Sequence, residues 1–156
     1  MLIIYVDADA CPVKEEVFRV AMRHNLQVYL VSNSRLNIVV NKNVHKIQVE
    51  SDPDAADNWI SEHIEIGDIV VTEDILLADR CLKKGVSSVS PKGKIFNDDN
   101  IGTAKAMRDL RAYLRETGVV QSYNAIFSMR DRAHFLQALE EMIQSIKRHS
   151  YPSNAR

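Results

Sequence analysis

Short β-rich runs alternate with helical patterns along most of this sequence, and that alternation limits the possible folds more than any other feature. The β-rich runs lie at residues 2–6, 27–32, 44–49, 68–72 and 86–90. Between them, apolar residues recur at helical spacing in residues 12–24, 53–65 and 75–84. Alternation of this kind is typical of a parallel sheet with helices on both faces. We therefore predict a three-layer α/β/α domain with a mainly parallel sheet.

The pattern changes after residue 90. The segment "SPKGK" is typical of a turn, and residues 98–116 and 129–148 have the pattern of two long C-terminal helices joined by a connector at 117–127. Ser128 is the expected N-cap of the second helix, with Asp131 at its third position. Residues 33–43 fit a loop, a short strand or a short helix. We predict a single domain at 1–150 and a C-terminal tail at 151–156.

Charge is distributed unevenly along the chain of 156 residues, although its net charge is only −1. Residues 1–100 hold 11 basic and 16 acidic side chains, whereas residues 101–156 hold 9 basic and 5 acidic ones. An acidic body with a basic C-terminal third favours a metal site in the first part and polyanion binding in the second. Two cysteines, and no apolar run near the ~20 residues of a membrane span, indicate a cytoplasmic protein outside the membrane.

Acidic residues follow three of the predicted strands, at the points where those strands end. Asp7 and Asp9 follow the first strand, Asp57 lies early in the helix after the third, and Asp74 follows the fourth. The carboxyl ends of parallel strands meet at one edge of a sheet, so we expect these four candidate catalytic carboxylates to lie close together. Close carboxylates repel each other unless a cation or a raised pKa relieves the repulsion. We predict a Mg²⁺ or Mn²⁺ site with Asp7, Asp57 and Asp74 as ligands.

Helix capping is the alternative explanation for these acids. Asp52 and Asp74 both have the pattern of N-cap residues. Capping needs only one acidic residue per helix, however, and at least one further acidic residue follows each of these strands. Asp7, at the end of an apolar strand, and Asp57, one turn inside a helix, are the hardest to explain as caps.

Polar and basic side chains are expected beside the acidic edge. Lys14 lies in the first turn of the first helix, and Asn33 follows the second strand. Both positions allow contact with a phosphate group of a substrate, and a solvated side chain is the alternative at each.

Arginines of the two C-terminal helices are the second set of candidate substrate contacts. Arg108, Arg111 and Arg115 share one helix face, and Arg130 and Arg132 lie near a helix start. Positive charge at a helix start opposes the helix dipole, which favours an anion-binding role for that pair. We name Arg108, Arg130 and Arg132 as candidate contacts to a nucleic-acid backbone, with an ordinary solvated helix flank as the alternative.

Four separated segments resemble the uncharacterised YaiI/YqxD family: "YVDADACPVKEEV", "DAADNWI", "GDIVVTEDILLA" and "FSMRDRAHF". They match in order through nearly the whole chain. The resemblance implies a PIN-like α/β/α domain with a carboxylate cluster, similar to that of Mg²⁺- or Mn²⁺-dependent ribonucleases. On this comparison Asp7 and Asp74 match best, and Asp57 also fits. Glu73 and Leu76 depart from the small residue and the proline expected of the family.

Three functions are compatible with these residues. The first is a metal-dependent nuclease that hydrolyses phosphodiesters, with single-stranded RNA as the expected partner. The second is a haloacid-dehalogenase-type phosphatase, with Asp7 as nucleophile and Asp9 as general acid. Cys11 and Pro12 count against the phosphatase, because they replace the usual Thr or Val and leave no room for a flap after the first strand. The third is a non-catalytic module that binds metal or nucleic acid.

Overall fold

The computed structural model describes residues 1–9, 11–118 and 126–150, which form six strands and five helices. The strands are β1 (Ile3–Asp7), β2 (Gln27–Ser32), β3 (Val44–Gln48), β4 (Ile69–Val71), β5 (Ser87–Val89) and β6 (Ile95–Phe96). The helices are α1 (Lys14–His24), α2 (Ala55–His63), α3 (Ile75–Lys83), α4 (Ile101–Glu116) and α5 (Met129–Ser150). The predicted tail at 151–156 and most of the predicted connector lie outside the described residues. No helix in the described ranges is long and apolar enough to cross a membrane.

The strands form one sheet in the order β3-β2-β1-β4-β5-β6. β1 to β5 pair in parallel with their neighbours, which confirms the predicted mainly parallel sheet. β6 pairs antiparallel with β5, and sequence analysis missed it because a two-residue strand is too short to show an alternating pattern. After β3 the chain crosses to the other side of β1 to form β4. This crossing creates a topological switch point between β1 and β4.

Helices cover both faces of the sheet, which confirms the three-layer α/β/α architecture. Ile4 and Val6 of β1 pack on one face in a cluster with residues of α1 and α5. Tyr5 packs on the other face in a cluster with residues of α2 and α3. Burial on both faces explains why β1 reads as a continuous apolar run. α4 packs beside α3 through a small cluster that includes Ala78 and Ala104.

Three helices begin two or three residues later than predicted. α1 begins at Lys14 instead of residue 12, α2 at Ala55 instead of residue 53, and α4 at Ile101 instead of residue 98. The prediction that Asp52 is the N-cap of α2 is wrong, because the N-cap is Asp54. Asp52 instead accepts a hydrogen bond from the Asp54 backbone N–H at 2.9 Å. This side-chain bond closes a turn that precedes the helix.

The other two predicted caps are confirmed. Asp74 is the N-cap of α3, and its Oδ1 accepts from the backbone N–H groups of Leu76 and Leu77. Ser128 and Asp131 bond reciprocally before α5: the Asp131 N–H donates to Ser128 Oγ, and the Ser128 N–H donates to Asp131 Oδ2. This reciprocal pattern is a capping box, which local sequence is sufficient to specify.

Candidate functional site

The candidate site lies at the carboxyl ends of β1 and β4, beside the switch point. Asp7 is the last residue of β1, and residues 72–74 connect β4 to α3. In doubly wound sheets, ligand crevices form outside the strand ends at this place. The topology therefore brings Asp7 and Asp74 together, as the sequence predicts for acids that follow different parallel strands.

A buried hydroxyl group joins Asp7 to the start of α3. Thr72 is 1% exposed; its Oγ1 donates to Asp7 Oδ2 at 2.9 Å and accepts from the Asp74 backbone N–H at 2.9 Å. Asp74 Oδ1 is occupied as the helix cap. One oxygen of each carboxylate is thus fixed. Asp7 Oδ1 receives no hydrogen bond from an N–H or O–H donor among the described residues.

Asp57 reaches the same cluster from the first turn of α2. Burial raises the pKa of Asp57 to about 8, and a hydrogen bond shared with the Asp74 carboxyl group adds to the rise. The negative charges of Asp74 and Asp7 raise this pKa further, whereas nearby Arg80 lowers it. Asp57 and Asp74 therefore contact each other, and Asp7 lies close enough for its charge to act on Asp57.

Asp7 is half-buried at the end of β1. Burial raises the pKa of Asp7 to about 6, against the opposing effect of the Thr72 hydrogen bond. The charges of Asp74 and Asp9 add to the increase. Without a cation, a charged Asp7 is therefore costly in the folded protein.

The cluster has the oxygen donors of a hard-cation site but not its assembled geometry. No three histidine, cysteine, aspartate or glutamate side chains in residues 1–9, 11–118 and 126–150 are placed so that they could hold a metal ion. The donor chemistry nevertheless fits Mg²⁺ or Mn²⁺, because both ions prefer carboxylate oxygens and all three aspartates supply them. Rotation of these short side chains is what metal binding would require.

Asp9 forms a separate set of hydrogen bonds. Its Oδ1 accepts from the hydroxyl groups of Ser32 at 2.6 Å and Ser34 at 3.1 Å, and its Oδ2 accepts from the Asn33 backbone N–H at 3.0 Å. Burial acts to raise the pKa of Asp9, but these bonds and the charge of Lys14 outweigh it and lower the pKa below its ordinary value. Asp9 therefore ties the chain after β1 to the chain after β2, and its catalytic role stays a prediction.

Asp9→Ala should lower the free energy of unfolding by about 2 kcal/mol, because it removes the charged acceptor of three hydrogen bonds. Asp52→Ala is the matched control, since Asp52 is exposed and accepts one local backbone hydrogen bond, so its loss should cost less than about 1 kcal/mol. Urea unfolding of both variants measures the difference. Equal losses would contradict the anchoring role of Asp9.

Lys14 and Cys11 lie beside the acidic edge and form a hydrogen bond with each other. Lys14 Nζ donates to the Cys11 carbonyl oxygen at 2.9 Å. Burial raises the pKa of the Cys11 thiol, with smaller contributions from the charges of Asp7 and Glu73 in the same direction. A thiol in this environment is a poor nucleophile at neutral pH.

Arg132 has a structural role that the sequence did not reveal. Its Nη1 donates to the Pro12 carbonyl oxygen at 3.1 Å and to Glu16 Oε2 at 2.9 Å, and its guanidinium carbon lies 4.9 Å from the Phe127 ring centroid. Only 7% of the Glu16 side chain is exposed. Arg132 therefore neutralises a buried carboxylate and fastens the start of α5 to α1. Its predicted contact with substrate stays a prediction, in competition with this ion pair.

The remaining predicted contacts are placed differently. Arg130 is exposed at the start of α5. Asn33 donates its backbone N–H to Asp9, and its side chain is half-buried. Arg108 is exposed on α4 and pairs with the adjacent Asp109, with Nη1 3.2 Å from Oδ1. None of these observations tests substrate binding.

Together, the sheet order and the acidic crevice define a doubly wound parallel α/β protein with a carboxylate cluster at the switch point. The chain belongs to the uncharacterised YaiI/YqxD family, whose model matches residues 5–145. This match confirms the family resemblance that the four sequence segments indicated.

Relatives with curated records resemble the chain over nearly its full length. A UPF0178 protein of Rhodospirillum rubrum is 51% identical over 146 residues, covering 93% of this chain and 97% of its own. A UPF0178 protein of Rhizobium meliloti is 50% identical over 145 residues, covering 93% and 99%. A third, from Caulobacter vibrioides, is 45% identical over 145 residues, covering 93% and 95%. These names carry no activity, so the function has to be inferred from the site.

Proposed function

We propose that the protein is a divalent-metal-dependent nuclease that hydrolyses phosphodiester bonds in RNA, built on a PIN-like domain. The observation that carries this proposal is the convergence of Asp7, Asp57 and Asp74 at the switch-point crevice. These acids come from β1, α2 and the start of α3, so no single helix cap or turn explains all three. Acids with raised pKa values that meet in a crevice are typical of functional sites.

Asp7, Asp57 and Asp74 are the residues that would hold the ion. A bound Mg²⁺ or Mn²⁺ would supply positive charge beside the scissile phosphate and lower the pKa of a water molecule. Thr72 holds Asp7 by its Oδ2, and the cap bonds hold Asp74 by its Oδ1. Hydrogen bonds thus hold the carboxylates of Asp7, at the end of β1, and Asp74, at the start of α3. Side chains held in this way favour a binding site of defined geometry.

One arginine side chain lies beside the cluster on the side of α2 and α3. Arg80 is exposed, lies close enough to Asp57 to lower its pKa, and donates from Nη1 to Asn58 Oδ1 at 3.1 Å. This bond orients the guanidinium group and uses only one of its five N–H donors. In the proposed nuclease, Arg80 would contact a phosphate oxygen next to the cleaved bond.

The phosphatase alternative receives less support from the structure. Its general acid would be Asp9, which must carry a proton to act. Hydrogen bonds to both Asp9 oxygens lower its pKa, so Asp9 is held in the charged form. A non-catalytic module that binds metal or nucleic acid would use the same acidic crevice, and only turnover distinguishes it from the nuclease.

A substrate panel tests the proposal. The wild-type protein is incubated with single-stranded RNA, single-stranded DNA and a generic phosphomonoester, each with Mn²⁺ or with EDTA, and Asp7→Asn serves as the control for contaminating nucleases. We expect Mn²⁺-dependent cleavage of RNA that EDTA and Asp7→Asn both abolish. Turnover of the phosphomonoester alone would favour the phosphatase, and binding without turnover would favour the non-catalytic module.

A further inference from the structure

α4 runs antiparallel to α3, toward the edge of the sheet that carries the candidate site. Lys105, in the first half of α4, contacts Asp79 of α3, with Nζ 3.1 Å from Oδ2. Asn97 and Asp98, just before α4, instead line a cavity with Leu82 near the end of α3. Contacts therefore move toward the start of α3 as the chain advances along α4.

α4 is too long to end level with α3. α3 begins four residues before Asp79, whereas α4 continues eleven residues beyond Lys105 to Glu116. At about 1.5 Å per residue, these lengths are about 6 Å and about 16 Å. The last two turns of α4, residues 110–116, therefore project roughly 10 Å past the start of α3. Asp74 of the candidate site caps α3 at that point.

The side of α4 that packs on α3 carries arginines in and beside its projecting part. Ile101 and Ala104 are buried on this side. Three arginines follow Ala104 on the same side of the helix, because each lies three or four residues after the one before it. They are Arg108, Arg111 and Arg115. All three are exposed. By these lengths Arg108 lies level with the first turn of α3, whereas Arg111 and Arg115 lie beyond its start.

We propose that Arg108, Arg111 and Arg115 form an arginine arm that binds the phosphate backbone of an RNA strand and leads it to the carboxylate site. The inference rests on the proposed nuclease function and adds the path of the substrate. Charge complementarity carries it, since guanidinium groups on one side of a helix match a row of phosphates. The arm also supplies the positive charge that an acidic crevice needs in order to attract a polyanion.

Binding in the absence of metal tests the arm separately from cleavage. The affinity of the wild-type protein for a short oligouridylate is measured in EDTA over a range of salt concentrations. The arm variant carries three substitutions: Arg108→Gln, Arg111→Gln and Arg115→Gln. We expect at least a tenfold loss of affinity at low salt. We also expect the slope of log affinity against log salt to fall by about 2, because each contact with a single-strand phosphate contributes about 0.7.

A control variant carries the same change in net charge at the opposite edge of the sheet. Its residues lie in the last turns of three helices: Arg23→Gln in α1, Lys83→Gln in α3 and Arg148→Gln in α5. These residues are exposed and lie away from the carboxyl edge. We expect its affinity for the oligouridylate to stay within twofold of wild type.

Equal losses in the two variants would overturn the arm, because they would show a response to net charge alone. Failure of the wild-type protein to bind the oligouridylate would overturn it as well. Unchanged binding and cleavage in the arm variant would refute the arm and leave the nuclease function standing. Arm-dependent binding without cleavage by the wild-type protein would refute the nuclease function and support the arm.

Discussion

Asp57→Asn should reduce Mn²⁺-dependent RNA cleavage at least a hundredfold, whereas Asp54→Asn should leave it within twofold of wild type. Asp57 shares a hydrogen bond with Asp74 and interacts with Asp7. Loss of a group that only orients a metal ligand typically costs ten- to a hundredfold, so loss of a ligand should cost at least as much. Asp54 lies one turn earlier, is exposed, and makes no side-chain cap bond.

Initial rates with a fluorescent RNA and saturating Mn²⁺ measure both variants. The comparison holds the type of change and the helix constant, so it isolates proximity to the carboxylate cluster. Equal rates for the two variants would contradict a catalytic or metal-binding role for Asp57.

Asp7→Asn should stabilise the metal-free protein at neutral pH, by about 2 kcal/mol. The pKa of Asp7 rises from an ordinary value of 3.8 to about 6 in the folded state. Between these values the unfolded chain loses its proton first, so the stability of the folded protein falls as pH rises from about 4 through about 6. A pKa shift of this size corresponds to a loss of about 3 kcal/mol in the free energy of unfolding. Partial solvation of the carboxyl group makes the actual loss smaller. Asparagine retains an oxygen that can accept the Thr72 hydrogen bond and carries no charge.

Thermal unfolding in EDTA at pH 3.5 and pH 7.5 measures this effect. At pH 3.5 Asp7 is protonated in the folded state and largely protonated in the unfolded state, so the two proteins should melt at nearly the same temperature. At pH 7.5 the variant should melt about 5 °C higher, given about 2–4 °C per kcal/mol for a protein of this size. A variant that melts lower at pH 7.5 would show instead that Asp7 is a structural acceptor at the end of β1.

Much of the fold was predictable because its signals are local. The strands β1 to β5 appear in the sequence as short β-rich runs, and the helices between them show apolar spacing of their own. The Ser128–Asp131 capping box needs only four residues. Asp7 and Asp74 could be placed at one edge because parallel strands all end at the same edge.

The parts that sequence analysis missed depend on contacts between distant segments. Asp9 could be recognised as an acid after a strand, but its bonds to Ser32, Asn33 and Ser34 arise only when β1 and β2 pair. In the same way, the burial of Glu16 depends on α5 packing against α1. The position of Glu16 on the apolar side of α1 could have indicated that it is buried and needs a basic partner.

The predicted start of α2 was wrong for a different reason. A serine and aspartates around a proline allow several turn and cap patterns, and local sequence does not choose between Asp52 and Asp54 as the cap. Asp57 nevertheless lies in the helix, although in its first turn and not one turn inside it as predicted. The prediction of a site residue thus tolerated an error of two residues in the start of its helix.

Mn²⁺ binding, measured by calorimetric titration, shows directly whether Asp7, Asp57 and Asp74 hold a metal ion. The wild-type protein is compared with a variant carrying Asp7→Asn, Asp57→Asn and Asp74→Asn, and with a control carrying Asp52→Asn, Asp54→Asn and Asp98→Asn, which are exposed acids. Folding of each variant is checked by circular dichroism. We expect saturable binding by the wild-type protein and the control, and loss of that binding in the folded site variant. Equal Mn²⁺ affinity in all three proteins, or no binding by the wild-type protein, would contradict a metal site at Asp7, Asp57 and Asp74.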